Sequence, residues 1–377
     1  MTAPFDVAVI GPGPAGCACA IELARAGWRV ALLGPLIDDD CRSGEVIGPN
    51  VRRYLPAEKA LNGIPIRFVA SEWADQGLEM RDLQLETGRA AVTAARPALD
   101  QYLLAEACGA GIRHIAAKVL WCSRDDATWR IHLAGIAAPL AARFVVEATG
   151  RGGRSPAVDG AKRHYLDRLV VLWRLVAAEG ADDNTLHLAA SADGWWYRVP
   201  NGHGRDFLAL VTDADLVPAG TRTGFFEMCA ARTEFTADIT TPLTPVRITD
   251  ARTSLRLPQS APGWIPIGDA AFSLDPLSGD GVSRALVDGI EIARFLTSGS
   301  APDGPTWDLR DVAADRMRRL MRQLSARFDY YAAVTRWPES VFWSRRRSAA
   351  DLYKRGDKAI IFQDPRRATA LSIDGGI

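Results

Sequence analysis

The sequence predicts an α/β fold that opens with a Rossmann-like β-α-β unit, continues through a β-rich middle and ends in helices. Three observations support this prediction. The first 34 residues comprise an apolar strand, a glycine-rich turn, a helix and a second apolar strand. Short runs rich in Val, Leu and Trp, separated by glycine turns, fill the middle of the chain. Between Leu309 and Tyr331, apolar residues recur every three or four positions, as on one face of a helix.

The composition is that of a globular protein without a bulk charge. The 377 residues are 48% hydrophobic, which is enough for a large core and for two or three structural units. Because 45 basic residues balance 45 acidic ones, we expect binding neither to nucleic acid nor to an anionic membrane. Apolar runs fall short of the ~20 residues that span a bilayer and no signal peptide is recognised, so a soluble, cytoplasmic protein is expected. The six cysteines form no CxxC pair, so neither a metal site nor a disulfide framework is predicted.

The turn after the first strand carries the motif Gly11-x-Gly13-x-x-Gly16. Gly11 permits a tight turn, Gly13 lets the backbone approach a pyrophosphate, and Gly16 lets the helix pack closely on the strand. Pro14 and Ala15 complete the turn, and the start of the helix offers free N–H groups with partial positive charge. With a strand on each side, this motif predicts a dinucleotide site.

The adenosine ribose lacks its usual partner in this sequence. The acidic residue that holds the ribose hydroxyls lies about 20 residues after the glycines in such motifs, and Gly34 stands there. Two alternatives remain: one of Asp38, Asp39 and Asp40 takes this role, or the ribose is held differently.

A second motif lies about 250 residues later, in GWIPIGDAAFSLDPLSGDGVSRALVDG (263–289). It consists of a short buried strand ending at Gly268-Asp269, a turn rich in Gly and Pro, and an apolar-periodic helix. By itself it suggests a second nucleotide loop. Arg42-x-Gly44-Glu45, a helix beginning near Arg96 and the turn Ala148-Thr149-Gly150 lie between the two motifs.

As an ordered set, these motifs resemble the FAD-dependent monooxygenase and flavin-dependent halogenase superfamily, over most of residues 1 to 300. The resemblance implies a Rossmann-like FAD-binding domain assembled from residues 1–60, 91–160 and 250–300. An antiparallel β-sheet substrate domain of residues 61–90 and 161–249 would be inserted, and residues 301–377 would form a helical C-terminal region. The second motif would then be the far part of one FAD site.

The resemblance also implies the roles of individual residues. Asp269 would accept hydrogen bonds from the ribityl chain, and the loop 276–281 would bring N–H groups and a helix dipole to the pyrimidine edge of the flavin. Arg42 and Arg96 would neighbour the cofactor, although a surface ion pair explains either arginine equally well. The predicted cofactor-binding residues are Gly11, Gly13, Pro14, Ala15, Gly16, Arg42, Glu45, Arg96, Asp269, Pro276, Ser278, Gly279 and Gly281.

In this superfamily, reduced flavin and O₂ form a C4a-hydroperoxide that attacks an electron-rich ring or is captured by halide. The cofactor supplies that chemistry, so no acid–base pair is required and we assign no catalytic side chain. The halogenases carry a W-x-W-x-I-P motif, which Trp195-Trp196-Tyr197-Arg198-Val199-Pro200 matches loosely. They also carry a catalytic lysine where this chain has Gly63; its nearest lysine is Lys59. Hydroxylation is therefore favoured.

The residues Trp195, Trp196 and Tyr197 are candidates for the substrate pocket. Because side chains alternate across a strand, one face would pack in the core and the other could line the pocket. The chain has no second GxGxxG unit for a nicotinamide, so electrons would come from transiently bound NAD(P)H or from a separate flavin reductase, with O₂ as the oxidant.

The tail YYAAVTRWPESVFWSRRR (330–347) resembles one branch of the superfamily, the flavoproteins that modify a tryptophan of a partner protein during maturation of tryptophylquinone amine oxidases and dehydrogenases. The resemblance implies a precursor protein as the substrate. The aromatic residues of the tail could equally anchor it on the core. The alternatives are a small-molecule aromatic hydroxylase or halogenase, and a flavin-bearing scaffold without catalysis.

Overall fold

The computed structural model describes residues 3–35, 44–49, 63–74, 77–125, 127–152, 154–178, 184–239, 241–298 and 309–354. The α-helices in these residues are α1 (Pro14–Arg25), α2 (Leu83–Thr87), α3 (Arg96–Gly109), α4 (Arg222–Ala230), α5 (Gly281–Ser298), α6 (Arg310–Ala332) and α7 (Val341–Lys354). The strands are β1 (Phe5–Ile10), β2 (Val30–Leu33), β3 (Glu45–Ile47), β4 (Pro65–Ile66), β5 (Phe68–Glu72), β6 (Glu79–Asp82), β7 (Ala91–Ala94), β8 (Arg113–Ile115), β9 (Val119–Asp125), β10 (Thr128–Leu133), β11 (Leu140–Glu147), β12 (Lys162–Tyr165), β13 (Leu169–Ala177), β14 (Thr185–Ser191), β15 (Gly194–Pro200), β16 (Arg205–Asp213), β17 (Arg247–Asp250), β18 (Ser254–Leu257), β19 (Trp264–Pro266) and β20 (Phe272–Ser273).

The first sheet has the strand order β8-β2-β1-β11-β10-β9, with β19 beside the end of β11. Strands β8, β2, β1, β11 and β19 are parallel, whereas β10 and β9 are antiparallel to their neighbours. Val7 lies between Val30 and Phe144 in the register of the central strands. The predicted β-α-β unit is thus confirmed. Strand β19, beside β11, brings the second motif to the same edge of this sheet as the glycine-rich turn of the first motif.

Helices α1, α3 and α5 cover one face of the first sheet. Side chains such as Val9 and Val146 of the sheet, Leu23 of α1 and Leu286 of α5 form one buried cluster. α1 and α5 pack so closely that a Cβ added to Gly289 would lie 2.3 Å from the carbonyl oxygen of Ala15. Glycine is therefore required at position 289. The crossing brings α1, which follows the first motif, next to α5, which follows the loop of the second motif.

The second sheet has the order β17-β13-β16-β15-β14-β5-β6. Its pairs are antiparallel except for β14 with β5. The glycine-rich run NGHGR (201–205) between two apolar runs predicts a hairpin, and the structure confirms it, because Asn201 N donates to Arg205 O at 2.8 Å between β15 and β16. α4 packs on one face of this sheet through Phe226, and α6 and α7 pack on the other through Tyr331 and Trp343.

Two three-stranded sheets, β3-β7-β4 and β12-β18-β20, complete the strand pairings. The first of them touches the second sheet, since a Cβ added to Gly44 would lie 2.5 Å from the ring of Phe207. The second sheet draws on residues 68–82 and 169–250, while the division of the whole chain into domains stays a prediction.

The sequence pattern around α2 predicts a longer strand than the structure has. The run LEMRDLQLE (78–86) alternates like a strand, but only Glu79–Asp82 is extended and α2 follows at once, so this prediction is partly wrong. The Asp82 carboxylate accepts hydrogen bonds from the N–H groups of Gln84 and Leu85, which caps and starts the helix.

Within the described residues, no helix has the length and apolar character needed to cross a membrane.

Candidate active site

The glycine-rich turn before α1 combines close packing with one open position. A Cβ on Gly11 would lie 2.3 Å from Ala148 O, and one on Gly16 would lie 1.9 Å from Gly11 O. Gly11 also has a φ of +114°, which side-chain-bearing residues rarely adopt. A Cβ on Gly13 would instead meet nothing within 4 Å. The space above Gly13 is therefore open for a ligand.

The N-terminus of α1 has no side-chain cap. Gly13 is the N-cap residue, and Pro14 occupies the first turn. The N–H groups at the start of a helix have no partner within the helix and carry partial positive charge. An uncapped helix start beside open space suits an anionic group such as a pyrophosphate.

Gly268 and Asp269 lie against this turn although they are about 250 residues away in the sequence. A Cβ on Gly268 would lie 2.8 Å from the Cβ of Ala15 and 3.6 Å from that of Ala285, the fifth residue of α5. The N-terminal parts of α1 and α5 therefore meet at Gly268. The structure brings the two predicted motifs into one place.

Two arginines hold the carboxylate of Asp269. Arg151 Nε lies 3.1 Å from one carboxylate oxygen, and Arg284 Nη2 lies 3.0 Å from the other. The Asp269 side chain keeps 26% of its surface exposed. Because a carboxylate can accept about four hydrogen bonds, capacity remains for ligand hydroxyl groups.

A third arginine, Arg163, joins the Asp269 segment to the Ala148-Thr149-Gly150 turn. It donates to Asp269 O, Gly150 O and Ser254 Oγ at distances of 2.8 to 3.0 Å. Burial, together with the nearby charge of Arg256, lowers the pKa of Arg163 to about 10.

The loop before α5 presents backbone rather than side chains. Pro276–Ser278 form a 3-10 turn that ends at Gly279, whose φ is +61°. Cβ atoms on Gly279 and Gly281 would meet nothing within 4 Å, and both residues are exposed together with Ser278. The Ser278 hydroxyl donates to Asp280 at 2.5 Å. A flat ring could therefore approach this loop closely.

Glu45 and Arg96 form a half-buried ion pair. Arg96 Nη1 lies 3.2 Å from Glu45 Oε1, and Arg96 Nη2 lies 3.2 Å from the Asp100 carboxylate. Burial acts to lower the pKa of Arg96, but the charges of Glu45 and Asp100 outweigh it and the pKa is raised. The buried Nε of Arg96 has no hydrogen-bond partner among the described residues, so one donor remains for a ligand. Arg42 lies outside the described residues, as do Asp38, Asp39, Asp40 and Lys59.

The three candidate pocket residues on β15 point to different surroundings. Trp196 is 0% exposed and packs edge to face on Phe226 of α4, with ring centroids 5.0 Å apart. Trp195 is 1% exposed on the opposite face, and its Nε1 donates to Tyr331 Oη at 2.9 Å. Tyr197 is half-buried, and burial followed by the charge of Glu45 raises its pKa. Of the three, Tyr197 is the one that retains exposed surface.

The sequence did not indicate the arginines around Asp269, nor a buried ion pair beneath them. Glu147 and Arg256 are both fully buried and 3.6 Å apart, and Glu147 also accepts hydrogen bonds from Thr149 and Trp264. In the sequence, the only sign of this pair is that Glu147 and Arg256 each stand in an apolar strand-like run, FVVE and SLRL. Because buried charges are rarely left unpaired, each of these residues predicts a partner but does not identify it.

These features fit a flavin dinucleotide: an open helix start, a carboxylate acceptor beside it and an exposed glycine loop. The fold and the site together define an FAD-dependent oxidoreductase, with the fold of the flavin-dependent monooxygenases and halogenases. A family model described as lycopene cyclase protein matches residues 6–169. The putative FAD-dependent oxidoreductase LodB of Marinomonas mediterranea is 24% identical over 367 residues, covering 92% of this chain and 98% of LodB.

Solved structures show the same fold. The flavin-dependent halogenase CmlS has a TM-score of 0.78 at 22% identity, over 96% of this chain and 72% of CmlS. The peptidyl tryptophan dihydroxylase QhpG, essential for tryptophylquinone cofactor biogenesis, has a TM-score of 0.71 at 23% identity, over 92% of this chain and 79% of QhpG. The predicted α/β fold class and FAD as the cofactor are thereby confirmed, and the chain has the fold of the predicted superfamily.

Proposed function

We propose that the protein is an FAD-dependent monooxygenase that hydroxylates the indole ring of a tryptophan in a partner precursor protein. The predicted cofactor-binding residues are part of this proposal. The start of α1 at Gly13 would bind the pyrophosphate, and Asp269, held by Arg151 and Arg284, would accept hydrogen bonds from the ribityl hydroxyls. The glycines at 279 and 281 would let the loop before α5 lie against the ring.

The observation that carries hydroxylation over halogenation is the packing of Gly63. This residue stands where the halogenases of the resemblance have their lysine. A Cβ at Gly63 would lie 1.7 Å from the carbonyl oxygen of Thr93, so the backbone leaves no room for any side chain. The position thus accepts only glycine without a shift of β7. Without that lysine, halide oxidation lacks its proton donor, and direct oxygen transfer to the ring is favoured.

When bound and reduced, FAD would provide the chemistry that activates O₂. In each hydroxylation, one oxygen atom of O₂ is inserted into a C–H bond of the indole ring to give a hydroxyl group, and the other oxygen atom is released as water. The balance requires two electrons and two protons, which NAD(P)H or a separate flavin reductase would deliver. The residues of the chain position the ring and exclude water. Trp195, Tyr197 and Phe207 form an aromatic wall beside Glu45, with centroids 5.4 to 5.8 Å apart.

A protein substrate is supported by the likeness to QhpG, a peptidyl tryptophan dihydroxylase. It is also supported by the tail 330–347 that resembles the tryptophan-modifying branch. A small-molecule aromatic hydroxylase or halogenase is the second candidate. It is favoured by the TM-score of 0.78 with the halogenase CmlS.

The test is to incubate the FAD-loaded protein with a flavin reductase, NADH, O₂ and a tryptophan-bearing precursor of a tryptophylquinone enzyme. Intact mass spectrometry should show the mass of one or two added oxygen atoms, and fragmentation should place them on a tryptophan. Free tryptophan and bromide are offered in parallel reactions. Unchanged precursor together with oxygenated or brominated free tryptophan would replace the proposal by the second candidate.

A control variant for this assay is Gly109→Ala, because Gly109 lies at the end of α3, outside the proposed site, and a Cβ there meets nothing within 4 Å. This variant should modify the precursor like the original protein. Omission of the reductase should abolish the mass gain. A mass gain that persists without electrons would contradict a monooxygenase.

A further inference from the structure

A buried carboxylate, Asp275, lies directly before the loop that is proposed to face the flavin. Its side chain is 3% exposed. One of its oxygens accepts a hydrogen bond from Leu277 N at 3.2 Å and so shapes the 3-10 turn. The other lies 3.4 Å from Nη1 of Arg327 on α6. Burial raises the pKa of Asp275 because it disfavours the charged form. Its hydrogen-bond and ion-pair partners therefore matter for keeping the carboxylate in place.

Arg327 ties the same carboxylate to two further segments. Its Nη1 lies 2.9 Å from Asp167 Oδ2 and also donates to Thr253 Oγ1. Asp167 in turn accepts hydrogen bonds from the N–H groups of Leu169 and Thr253. The buried charges therefore lie where α6, the start of β13 and the loop before α5 meet.

Tyr331 follows Arg327 by one helical turn and is 2% exposed. Its hydroxyl oxygen accepts the hydrogen bond from Trp195 Nε1 at 2.9 Å. Burial raises the pKa of Tyr331, and the Asp275 carboxylate lies near enough to this hydroxyl for its charge to raise that pKa further. A phenol can donate one hydrogen bond while it accepts another, so the hydroxyl keeps a donor for this carboxylate while it accepts from Trp195. One side chain of α6 thus joins β15 to the residue that caps the flavin-facing turn.

Apolar packing follows the same path. Leu277 of the turn, Trp195 of β15 and Tyr331 belong to one cluster, in which Trp343 of α7 also lies. The Tyr331 ring lies 5.9 Å from that of Trp343. A shift of the Tyr331 hydroxyl therefore moves neighbours on both sides.

We propose that Tyr331 is a positioning residue of the flavin site: its hydroxyl fixes the loop 276–281 relative to β15, so that α6 sets how tightly FAD is held. The proposal rests on the proposed function only in that this loop faces the flavin. It assigns to the C-terminal helices a role in cofactor binding, beyond that of packing.

The test compares Tyr331→Phe with Tyr330→Phe, the same change at the neighbouring, 41% exposed tyrosine. FAD is titrated into the apoprotein, and the dissociation constant and the visible spectrum of bound flavin are recorded. Loss of the buried hydrogen bond from Trp195, beside the Asp275 carboxylate, predicts about tenfold weaker binding and an altered flavin spectrum for Tyr331→Phe. Tyr330→Phe should change the constant by less than about twofold.

A second set of variants keeps the proposal falsifiable if Tyr331→Phe does not fold. Trp195→Phe removes only the donor to the Tyr331 hydroxyl, and Asp275→Asn keeps the shape of the capping residue. Each should weaken FAD binding, and Trp195→Phe combined with Tyr331→Phe should cost less than the sum of the single changes. If these variants bind FAD like the original protein and only unfold at lower urea, Tyr331 is structural and the proposal is wrong. Because no substrate is present, this result is independent of whether tryptophan is hydroxylated.

Discussion

Gly13 and Gly16 lie three residues apart, yet an alanine Cβ would meet open space at one and a carbonyl oxygen at the other. Gly13→Ala should therefore fold with an unchanged melting temperature and bind FAD at least about tenfold more weakly, because the methyl group occupies the space left for the pyrophosphate. Gly16→Ala should lower the free energy of unfolding by more than about 2 kcal/mol, because α1 must move away from the turn. Thermal unfolding and FAD titration measure the two effects.

Gly109→Ala serves as the control in both measurements, since its Cβ meets open space outside the site. Normal FAD affinity in Gly13→Ala would show that no phosphate lies above this residue.

At the scale of residues, local chemistry was predictable and long-range partners were not. The glycines were predicted because the turn geometry that requires them is contained in a few neighbouring positions. Arg151, Arg163 and Arg284 escaped prediction because many arginines in this chain could pair with Asp269. Only the folded arrangement selects which of them lie within reach of its carboxylate or carbonyl.

Between elements, the joint of α5 and α6 depends on a buried ion pair. Asp288 and Arg316 lie 3.1 Å apart, Arg316 Nη1 donates to Pro266 O, and Asp288 accepts from Gly268 N. Asp288→Ala leaves the arginine buried without its counter-charge, so we expect a loss of about 3 to 5 kcal/mol in urea unfolding.

The matched control for this joint is Glu291→Gln, which breaks the exposed pair with Arg319 on the same two helices. It should cost less than about 1 kcal/mol. Adding Arg316→Met to Asp288→Ala should recover stability, because the uncompensated charge is removed. If Asp288→Ala costs as little as the control, the joint is held by apolar packing instead.

The elements that were predicted well are those whose periodicity is visible within one segment. β1, α1, α3 and the hairpin of β15 and β16 follow their sequence patterns closely. α2 was missed because a single cap at Asp82 outweighs the strand-like alternation around it. α7 lies in the C-terminal region that was predicted to be helical, but its bounds and buried face were not predicted, since that face is defined by contacts such as Trp343 Nε1 to Ser191 O.

On the scale of the whole molecule, α7 is fastened to the second sheet by charges. Arg345 contacts Asp213 and Asp215 at 2.8 to 2.9 Å, and Arg346 contacts Asp213 at 2.8 Å. The hydrogen bond from Arg345 lowers the pKa of Asp215 to about 2. Its stabilising contribution is therefore complete above the unfolded pKa near 3.8 and is lost as the pH falls through about 2.

Asp215→Asn should thus be less stable than the original protein at neutral pH, and the difference should disappear as the pH falls from about 4 to about 2. Urea unfolding at a series of pH values measures this. Arg345→Met removes the arginine of the same ion pair. Its stability difference from the original protein should likewise disappear as the pH falls from about 4 to about 2. A difference that stays constant down to pH 2 would mean that the contact acts through packing and not through charge.

The crossing of α1 and α5 at Ala15 and Gly289 has a consequence for how the protein is made. The residues that would hold FAD come from both sides of that crossing, so a growing chain carries the glycine turn long before Asp269 and the loop before α5 have been synthesised. A prematurely terminated chain that ends within the second sheet has the nucleotide motif but lacks the residues proposed to complete the FAD site. Bound flavin would therefore report that synthesis has passed α5, and its yellow colour would distinguish such molecules from shorter ones during expression.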